Sequence, residues 1–503
     1  MTKGSDQVTQ PPAPVAVIVL AAGQGTRMKS STPKILHQVG GRSLVGHALH
    51  AAQSLTPEHL VAVVRHERDR VVAHLQELVP EVVIADQDEI PGTGRAVEQG
   101  LQALPADTTG TVVVTYGDVP LLTPQTLSTL VACHHDQGNA VTVLTAEVSD
   151  PTGYGRIVRD DQGLVERIVE HKDALRHAEE TGDDSLVNIH EINSGIYAFD
   201  AQVLARTLAE VSTDNAQGEK YLTDVLSLAR AEGGRVASWV TTDVWEVEGA
   251  NDRRQLAALG AELNRRITDF WMRQGVTIVD PATTWIDIEV ELAADVTIKP
   301  GTQLHGSTRI APGATIGPDT TLTDVHVGQH ATVKRTDGTE AMIAAGAKVG
   351  PFTYLRSGTV LGENGKIGAF YETKNVTVGA GSKLSHLGYA GDAEIGENTN
   401  IGCGNITANY DGVNKHRTVI GSEVRTGSNT VFTAPVEIGD GAYTGAGAVV
   451  RDNVPAGALA INQVSQRTIE NWTITKRPGT AAARAAEAAG EASEHTDGDR
   501  SAN

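Results

Sequence analysis

Cysteine, aromatic residues and long apolar runs are all scarce in this chain. Its 503 residues include only Cys133 and Cys403, too far apart for a CxxC motif or a disulfide framework, so a reducing, cytoplasmic location is expected. Aromatic residues make up 4% of the chain, which argues against large aromatic-centred cores. No segment approaches the roughly 20 apolar residues of a membrane span, which argues against a membrane protein.

Basic residues are outnumbered as well. The formal net charge is −21, which argues against a nucleic-acid partner because a phosphate backbone attracts basic surfaces. Small phosphorylated substrates are compatible with this charge, since they need only local positive charge. The chain is also too long for one hydrophobic core, so at least two domains are expected.

The first half of the chain has the pattern of an α/β domain. Residues 1–14 are polar and contain several prolines, and we expect a disordered tail there. From residue 15 to residue 250, apolar segments such as VAVIVL, HLVAVVRH and TVVVTYGD alternate with helix-like segments such as GRAVEQGLQAL. This alternation predicts a Rossmann-like, mostly parallel sheet covered by helices.

An amphipathic segment follows at residues 251–275. Leucine, isoleucine and phenylalanine recur there at spacings of three and four residues, which predicts one apolar helical face. The face consists of Leu256, Leu259, Leu263, Ile267 and Phe270. Because the segment separates two differently patterned regions, we interpret it as a linker helix.

Residues 276–475 follow a period of six. The repeated positions include Ile298, Leu304, Ile310, Ile316 and Leu322, and later Ile420, Thr426, Phe432, Ile438, Thr444 and Val450. Hexapeptide repeats have this period because each repeat forms one side of a triangular coil with its aliphatic side chain inside. The pattern predicts a parallel β-helix. Residues 476–503 lack large apolar side chains, and we expect them to be disordered or a frayed helix.

A glycine loop, LAAGQGTRMKSSTPK, follows the first predicted strand. Such a loop can bind phosphate, because backbone N–H groups and a helix N-terminus face the anion. The dinucleotide fingerprint GxGxxG fails at Met28, and the ATP-binding pattern GxxxxGK[ST] is absent. Arg27 and Lys34 favour a triphosphate, whose leaving group needs charge neutralisation. The alternative is a tight turn with solvated cations.

The segment TVVVTYGDVPLL places Asp118 where an apolar strand ends. In open parallel sheets, ligands bind beyond the carboxyl ends of the strands. An aspartate at that place can hold Mg²⁺, which takes few protein ligands and bridges to substrate phosphates. The alternative is a solvated aspartate in a turn.

Motifs along nearly the whole chain resemble one enzyme family. They are the glycine loop, PGTGRA, YGDVPLL, PTGYGRIV, VEHKDA, EINSGIYAF, NAQGEKYLTD and WEVEGAND, and in the repeat region GAFYETKN, VGAGSKL and KLSHLGYAGDAEIGENTNIGCGNITANYDGVNKHRT. They resemble the bacterial bifunctional N-acetylglucosamine-1-phosphate uridylyltransferase / glucosamine-1-phosphate N-acetyltransferase over residues 15–475. The resemblance implies an N-terminal Rossmann-like nucleotidyltransferase domain, a linker helix and a C-terminal left-handed parallel β-helix.

By resemblance, the N-terminal domain makes UDP-N-acetylglucosamine and pyrophosphate from UTP and N-acetylglucosamine-1-phosphate. Arg27 and Lys34 would be its catalytic cations, and Asp118 and Asn251 would hold Mg²⁺. The substrate-binding residues would be Leu20, Ala21, Ala22, Gly23, Lys34, Gln87, Gly92, Thr93, Tyr116, Gly117, Asp118, Gly155, Glu170, Asn193 and Asn251. The sugar phosphate is itself an oxyanion nucleophile, so no protein base is required.

By resemblance, the β-helix transfers an acetyl group from acetyl-CoA to glucosamine-1-phosphate and forms a homotrimer. His386 would be the general base that deprotonates the sugar amine. The sugar-phosphate site would comprise Arg356, Lys374, Tyr389, Asn400 and Lys415, and the acetyl-CoA site Cys403, Asn409, Tyr410, Ser428 and Ala446.

Two positions depart from the family pattern. Gln463 stands where some members carry an arginine that can reach the cofactor's phosphates, so no such contact is assigned to it. Cys403 stands where a smaller residue is common, and we interpret it as an inert, buried thiol.

Two other functions fit parts of the pattern. The first is a nucleotidyltransferase whose β-helix serves only for oligomerisation. The polar segment HLGY…NIGCGNITANYDGVNKHRT argues against it, because a purely structural coil does not need these side chains. The second is a catalytically inactive scaffold, and the intact glycine loop with Asp118 and Asn251 argues against that.

Overall fold

The structure is a computed structural model that describes residues 13–213, 218–462 and 465–498, with side chains described up to residue 490. Most of the tail predicted at residues 1–14 lies outside the described residues. The same holds for Gln463 and for the last five residues of the tail predicted at 476–503.

The first domain is built on a nine-stranded sheet with helices on both faces. The strands of the domain are β1 (Ala16–Leu20), β2 (Gln38–Val39), β3 (Arg42–Ser43), β4 (His59–Val64), β5 (Val83–Asp86), β6 (Thr111–Tyr116), β7 (Val141–Glu147), β8 (Arg156–Arg159), β9 (Val165–Val169), β10 (Glu191–Asp200) and β11 (Val236–Thr241). Strands β2 and β3 form a separate two-stranded hairpin, and the other nine form the sheet. The helices are α1 (Leu44–Gln53), α2 (Arg68–Leu78), α3 (Thr93–Gln102), α4 (Pro124–Asp136), α5 (His171–Thr181), α6 (Ala201–Glu210), α7 (Asp224–Ala231) and α8 (Arg253–Arg273), with 3₁₀ turns at Thr26–Met28, Lys34–Leu36 and Val244–Val247.

The strand order is β11-β7-β10-β6-β1-β4-β5, and β8 and β9 form a hairpin beside β10. Strand β10 is antiparallel to β6 and β7, whereas β1 is parallel to β4 and β6. Alternate residues of β1 belong to two separate hydrophobic cores. Val17 and Val19 pack in the core on one face of the sheet, and Ile18 and Leu20 pack in the core on the other face. A central parallel strand is buried on both faces, which explains its continuous apolar sequence. The predicted α/β domain is confirmed.

The parallel strands place their carboxyl ends at one edge of the sheet. Leu20, the last residue of β1, lies opposite Val63 in β4 and Tyr116 in β6. The N–H of Gly117 donates to the Leu20 carbonyl at 2.9 Å, and the N–H of Ala21 donates to the Val63 carbonyl at 2.8 Å. The glycine loop after β1 and the segment containing Asp118 after β6 therefore begin side by side.

The linker helix α8 contacts both domains. Leu259 is buried against the first domain, and Leu256 and Leu263 pack on the same small core. Ile267 packs instead against the core of the β-helix. The predicted apolar face is wrong at its last position, because Phe270 is 52% exposed.

Trp271 takes the place predicted for Phe270. It packs against the β-helix core, and Phe270 lies edge-on to its ring with the centroids 5.0 Å apart. The helix changes its packing partner along its length, so the buried side rotates away from the regular 3.6-residue face.

The second domain is a coil of short parallel strands. They are Thr277–Ile278, Trp285–Ile286, Glu291–Leu292, Thr297–Ile298, Thr302–His305, Arg309–Ile310, Thr315–Ile316, Thr320–Thr323, His326–Val327, Thr332–Val333, Thr336–Thr339, Ala341–Ile343, Lys348–Val349, Thr353–Leu355, Thr359–Leu361, Lys366–Val378, Lys383–Ile395, Asn400–Ile401, Ile406–Ala408, Thr418–Ile420, Val431–Thr433, Val436–Ile438, Tyr443–Thr444, Val449–Val450 and Leu459–Ala460. Ile298 pairs with Ile316, eighteen residues later, so three hexapeptides make one turn.

The interior of the coil is the stack of residues at every sixth position. All eleven positions predicted to point inward are at most 7% exposed. The predicted parallel β-helix is confirmed. Beyond it lie the five-residue helix α9 (Trp472–Lys476) and the eighteen-residue helix α10 (Ala481–Gly498).

One insertion interrupts the repeat. Ala393 pairs with Thr418, twenty-five residues later, whereas Lys374 pairs with Gly391 at a spacing of seventeen. The extra residues form a loop at 409–417, outside the stacked strands. The loop carries three of the predicted site residues: Asn409, Tyr410 and Lys415.

Among the helices of the described residues, none combines the length and the apolar composition that crossing a bilayer requires.

Truncation inside the coil should destabilise it. We expect Leu322→Ala to lower the free energy of unfolding by about 2–5 kcal/mol, because Leu322 is fully buried and the coil offers no neighbour to fill the cavity. Denaturant unfolding followed by circular dichroism measures this. The adjacent Thr321→Ala is the matched control, because Thr321 points outward on the same strand; an equal loss in both variants would contradict the assignment of the interior.

Candidate active sites

The loop after β1 folds tightly on itself at Gly25. This residue has φ +65°, and a Cβ there would lie 2.5 Å from the Cβ of Lys34. Only glycine therefore allows the turn at Thr26–Met28 to pack against the turn that begins at Lys34. The packing brings the Arg27 and Lys34 side chains to the same place.

Both cations converge on Asp118 and Asn251. The Lys34 ammonium pairs with the Asp118 carboxylate and donates to Oδ1 of Asn251 at 3.2 Å. Arg27 donates from Nη2 to the same Asn251 oxygen at 2.9 Å. The side chains of Lys34 and Asp118 are only 13% and 17% exposed, so their attraction is less screened than at the surface. Four predicted residues thus form one charge cluster.

The backbone holds Asp118 and Asn251 next to each other. The N–H of Ala250 donates to the Asp118 carbonyl at 3.1 Å. The N–H of Asn251 donates to the Gln255 side chain at 2.9 Å, and Asp252 caps the N-terminus of α8. The start of the linker helix is therefore part of the site.

The cluster fits a divalent cation. The Lys34 ammonium, itself a cation, contacts oxygens of both Asp118 and Asn251, which shows that these oxygens converge. Carboxylate and amide oxygens are Mg²⁺ ligands. In the described part of the chain, no group of three or more His, Cys, Asp or Glu side chains could hold a metal. The protein would thus supply two oxygens, and water and substrate phosphates would supply the rest.

Two cavities meet at this cluster. One, of about 440 Å³, lies beside the glycine loop, and the other, of about 340 Å³, lies beside β8 and β10. Both are lined by Thr93, Tyr116, Asp118, Glu219 and Asn251. Ligands in the two cavities would face each other across Asp118 and Asn251.

The predicted binding residues divide between the cavities. The first is lined by Leu20, Ala21, Ala22, Gly23, Lys34, Gln87, Gly92 and Thr93. The second is lined by Gly155, Glu170 and Asn193. Gly117 is buried behind them, bonded through its N–H to Leu20. The structure therefore brings all the residues predicted for the first site to one edge of the sheet.

Close backbone approach shapes the first cavity. The N–H of Gln87 donates to the Val64 carbonyl at 2.9 Å, and its side-chain amide donates to the Gly92 carbonyl at 3.2 Å. Gly92 has φ +118°, and a Cβ there would clash with the backbone of Lys220. The glycine is required for the entry to α3.

Glu170 gives the second cavity an unusual carboxyl group. Burial raises its pKa, and the carboxylates of Asp173, Asp224 and Glu219 raise it further. A Cβ at Gly155 would lie 3.5 Å from its Oε1. A group that holds its proton more tightly, next to a glycine that leaves space, suits hydrogen bonding to a hydroxyl-bearing ligand.

Asn193 is fixed in the same cavity. Its Oδ1 accepts hydrogen bonds from the N–H of Gly195 and the hydroxyl of Tyr197, both at 2.9 Å. Gly195 has φ +78°, and a Cβ there would clash with the Tyr116 ring. The side chain of Asn193 is thus oriented before any ligand binds.

Sequence reasoning missed several lining residues. They are Arg65, His66 and Glu219 in the first cavity and Tyr154, Tyr221 and Thr223 in the second. The motifs NAQGEKYLTD and PTGYGRIV contain four of the six, so the signal was present as a motif but not as individual roles.

A second site lies on the β-helix, where three cations cluster. Arg356, Lys374 and Lys415 come together although the first two lie on successive turns and the third lies in the inserted loop. Contact with the Lys415 side chain lowers the pKa of Lys374, and Arg356 lowers it further. The Tyr389 side chain is near enough to interact electrostatically with Arg356. Such a concentration of positive charge suits a phosphate.

His386 lies at a different corner of the coil. The N–H of Gly404 donates to the Leu387 carbonyl at 2.7 Å, the N–H of Asn429 to the Cys403 carbonyl at 2.7 Å, and the N–H of Gly447 to the Ser428 carbonyl at 2.8 Å. These bonds stack His386, Cys403, Ser428 and Ala446 on four successive turns. Along its strand, His386 precedes Tyr389 by three residues, or about 10 Å.

One chain does not bring the whole predicted acetyl-transfer site together. Asn400 pairs with Lys383, three residues before His386, whereas the cation cluster lies beyond Tyr389 on the other side of the corner. Asn409 belongs with the cation cluster, since its side chain donates to Asp392 at 2.5 Å. Tyr410 is 61% exposed in the same loop.

The expectation that Cys403 is a buried thiol is wrong, because the side chain is exposed. Ile401 occupies the inward position of this repeat and is 4% exposed. Cys403 comes two residues later, in the turn at the corner of the coil, where side chains project outward.

Comparison with known proteins places both domains. Residues 17–185 match the MobA-like NTP transferase domain, and residues 417–452 match the bacterial transferase hexapeptide (six repeats). Three similar curated proteins are each named Bifunctional protein GlmU. The protein of Micrococcus luteus is 73% identical over 96% of this chain and 98% of its own length. The proteins of Pseudarthrobacter chlorophenolicus and Kineococcus radiotolerans are 68% and 60% identical, over 95% and 97% of this chain and 96% and 98% of theirs.

Glu170 should make stability depend on pH. Its pKa is raised in the folded state, so the folded protein keeps this proton longer than the unfolded chain does as pH rises. Stability contributed by the protonated group is therefore lost with rising pH, from the ordinary carboxyl range up to the raised pKa. We expect Glu170→Gln to flatten this part of the profile and to raise the thermal midpoint at neutral pH. Thermal unfolding between pH 4 and pH 8 measures it; Glu179→Gln, an exposed carboxyl on α5, should leave the profile unchanged.

Proposed function

Because this chain belongs to the family of the bifunctional GlmU proteins, we propose that it carries out two successive reactions on one sugar phosphate. The β-helix transfers the acetyl group of acetyl-CoA to glucosamine-1-phosphate. The α/β domain then transfers UMP from UTP to N-acetylglucosamine-1-phosphate and releases pyrophosphate. The product, UDP-N-acetylglucosamine, is a precursor of the bacterial cell wall.

The observation that carries this proposal is the meeting of two cavities at Asp118 and Asn251, with Arg27 and Lys34 at the same point. A nucleotide in the first cavity and a sugar phosphate in the second would direct their phosphates to this junction. The reaction must bring two anionic substrates together at this junction. Arg27 and Lys34 lie where the repulsion between the phosphates of the two substrates would be greatest.

In the uridylyl-transfer step, a phosphate oxygen of N-acetylglucosamine-1-phosphate attacks the α-phosphorus of UTP, and the bond from that phosphorus to pyrophosphate breaks. Arg27 and Lys34 neutralise the triphosphate and the leaving pyrophosphate. Asp118 and Asn251 would hold Mg²⁺, which when bound would further neutralise the phosphates. The cavity walls contribute by fixing both substrates in line.

In the acetyl-transfer step, His386 accepts a proton from the amine of glucosamine-1-phosphate as the nitrogen attacks the thioester carbonyl. The carbon–sulfur bond breaks, the proton taken up by His386 passes to the leaving sulfur, and coenzyme A leaves as the thiol. Arg356, Lys374 and Lys415 bind the sugar phosphate through the charge cluster described above. Cys403, Ser428 and Ala446 lie in line with His386 and border the coenzyme.

The acetyl-transfer site is completed by a second copy of the chain in a homotrimer. Asn400 and the cation cluster lie on opposite sides of the corner that carries His386. Between that corner and Tyr389 runs an open groove of about 590 Å³, lined among others by Phe352, Phe370 and Leu387. A neighbouring coil supplies the missing wall, and brings its own Asn400 to the sugar.

We further infer that the enzyme works in the cytoplasm, where UTP and acetyl-CoA are available and free thiols such as Cys133 and Cys403 persist. The test of the proposed function is to incubate the protein with glucosamine-1-phosphate, acetyl-CoA, UTP and Mg²⁺ and to follow coenzyme A, pyrophosphate and UDP-N-acetylglucosamine. All three should form. Uridylyl transfer without acetyl transfer would instead support the alternative in which the coil only oligomerises the chain.

The two activities should be lost separately. Asp118→Ala should abolish uridylyl transfer and leave acetyl transfer nearly intact, because Asp118 lies only in the α/β site. His386→Ala should lower acetyl transfer by about 10²–10⁴-fold, the usual contribution of a general base, and leave uridylyl transfer unchanged. Separate assays of thiol release and pyrophosphate release measure both. If either variant lost both activities while remaining a folded trimer, the assignment of the sites to the domains would be wrong.

Lys34 should compete with a divalent ion for its ligands. In the absence of nucleotide, we expect Lys34→Met to bind Mn²⁺ roughly tenfold more tightly than the unmodified chain, because the ammonium no longer pairs with Asp118 and Asn251. Titration followed by electron paramagnetic resonance measures free Mn²⁺. Lys29→Met, an exposed lysine of the same loop, is the matched control. Unchanged Mn²⁺ affinity in Lys34→Met would show that the ion binds elsewhere.

A further inference from the structure

We propose that the first turn of the β-helix holds the phosphate-binding side of the uridylyl-transfer site in position. This inference rests on the proposed function of that site and adds a role for residues outside it. The coil of the acetyltransferase would then be a structural part of the other enzyme rather than a separate module.

The β2–β3 hairpin is pressed against this first turn. Its two-residue tip, Gly40 and Gly41, has φ +57° and +80°. A Cβ at Gly40 would lie 2.7 Å from Cδ2 of Leu263 in α8, and a Cβ at Gly41 would lie 2.6 Å from Oδ2 of Asp287 in the coil. The N–H of Ile288 donates to the Gly40 carbonyl at 3.0 Å. The tip therefore fits its place only without side chains.

The surface that receives the hairpin is itself fixed. Oδ2 of Asp287 accepts from the N–H of Gly306 at 3.1 Å and lies 3.3 Å from Nδ1 of His305, both on the next turn of the coil. Arg42, immediately after the hairpin tip, donates from Nη2 to the Glu289 carboxylate at 2.5 Å. The hairpin is thus held by packing, by a backbone hydrogen bond and by an ion pair.

The linker helix is attached to the same turn through a buried amide. Asn264 donates from Nδ2 to the Thr284 carbonyl at 2.7 Å and accepts at Oδ1 from the N–H of Ile286 at 3.0 Å. Asn264 is 8% exposed, so losing these bonds would leave buried backbone groups without partners. The position of α8 relative to the coil is therefore fixed by two hydrogen bonds, one that Asn264 donates and one that it accepts.

Both attachments lead directly to the charge cluster. The hairpin begins four residues after Lys34, and Ile35 between them is buried in the domain core. Helix α8 begins two residues after Asn251. Arg253, the first residue of α8, also donates from Nε to the Met28 carbonyl in the glycine loop at 3.3 Å. A shift of the hairpin or of α8 would move Lys34 or Asn251, and displacements of about 1 Å in a phosphate-transfer site are costly.

The decisive variant is Gly40→Ala, compared with Gly138→Ala. Both glycines have similar backbone angles, φ +57° and +62°, so alanine imposes similar strain in each. A Cβ at Gly138 meets open space, whereas a Cβ at Gly40 pushes the hairpin away from Leu263 and Ile288. We expect Gly40→Ala to lower kcat for uridylyl transfer by about tenfold. Acetyl transfer and trimer formation should stay within twofold, and Gly138→Ala should leave both activities unchanged.

A charge exchange gives an independent measurement. Arg42→Glu and Glu289→Arg should each lower uridylyl transfer, and the double variant should recover most of it, because the ion pair is restored with reversed sign. Rescue of kcat would show that the ion pair, and not either charge alone, supports uridylyl transfer. Thermal unfolding of the three variants separates the two causes, because a positioning role lowers kcat in the single variants while their thermal midpoints stay close to that of the unmodified chain.

Equal uridylyl transfer in Gly40→Ala and Gly138→Ala, or a parallel loss of acetyl transfer, would overturn the inference. The unmodified chain is assayed alongside. If it showed no uridylyl transfer, the proposed function itself would fail and the positioning role with it. A loss confined to Gly40→Ala and to the two charge variants supports the role of the coil.

Discussion

The charge cluster of the α/β domain is organised around one contact, the Lys34 ammonium between the oxygens of Asp118 and Asn251. Three separate segments supply these groups: the glycine loop, the end of β6 and the start of the linker helix. Partly buried charges are tolerated only where they are paired, so the segments cannot move apart independently. A bound triphosphate would pair with the Arg27 and Lys34 cations, and a divalent ion would pair with the Asp118 and Asn251 oxygens. Each of these groups would thus exchange one partner for another without being left unpaired.

The β-helix works by a different constraint. Each turn pairs in parallel with the next, and the inward positions are occupied by apolar or small side chains, so the interior offers no charged group for catalysis. Functional side chains are confined to the corners, the outer faces and the inserted loop. One corner carries His386, Cys403, Ser428 and Ala446. The cation cluster of Arg356, Lys374 and Lys415 lies beyond Tyr389, away from that corner. One chain therefore does not bring all the candidate residues of this domain together, which is the basis of the proposal that a second copy completes the site.

Much of this organisation was readable from the sequence. The period of six predicted eleven inward residues, because a side chain that points inward from the coil has only one interior to enter. The glycine loop and Asp118 were predicted together because parallel strands end at one edge. The prediction that Phe270 lies on the apolar face was wrong, because a regular periodic face assumes one packing partner and α8 has two. The prediction that Cys403 is buried was wrong, because burial at a corner depends on the direction in which the turn points its side chains. Arg65 and His66 lie in none of the family motifs, and only the folded cavity showed their position.

The parallel pairing of successive turns also sets distances along the coil. Adjacent turns are about 4.8 Å apart. Adding or removing turns would therefore change the distance between a corner of the coil and the linker helix only in multiples of that spacing. His386 lies about six turns beyond the first strand of the coil, or about 29 Å along its axis. Under the proposed assignment of the two sites, acetylated sugar phosphate leaves one site and diffuses to the other. Lengthening the coil by a complete turn would then change the distance between the sites without altering either of them.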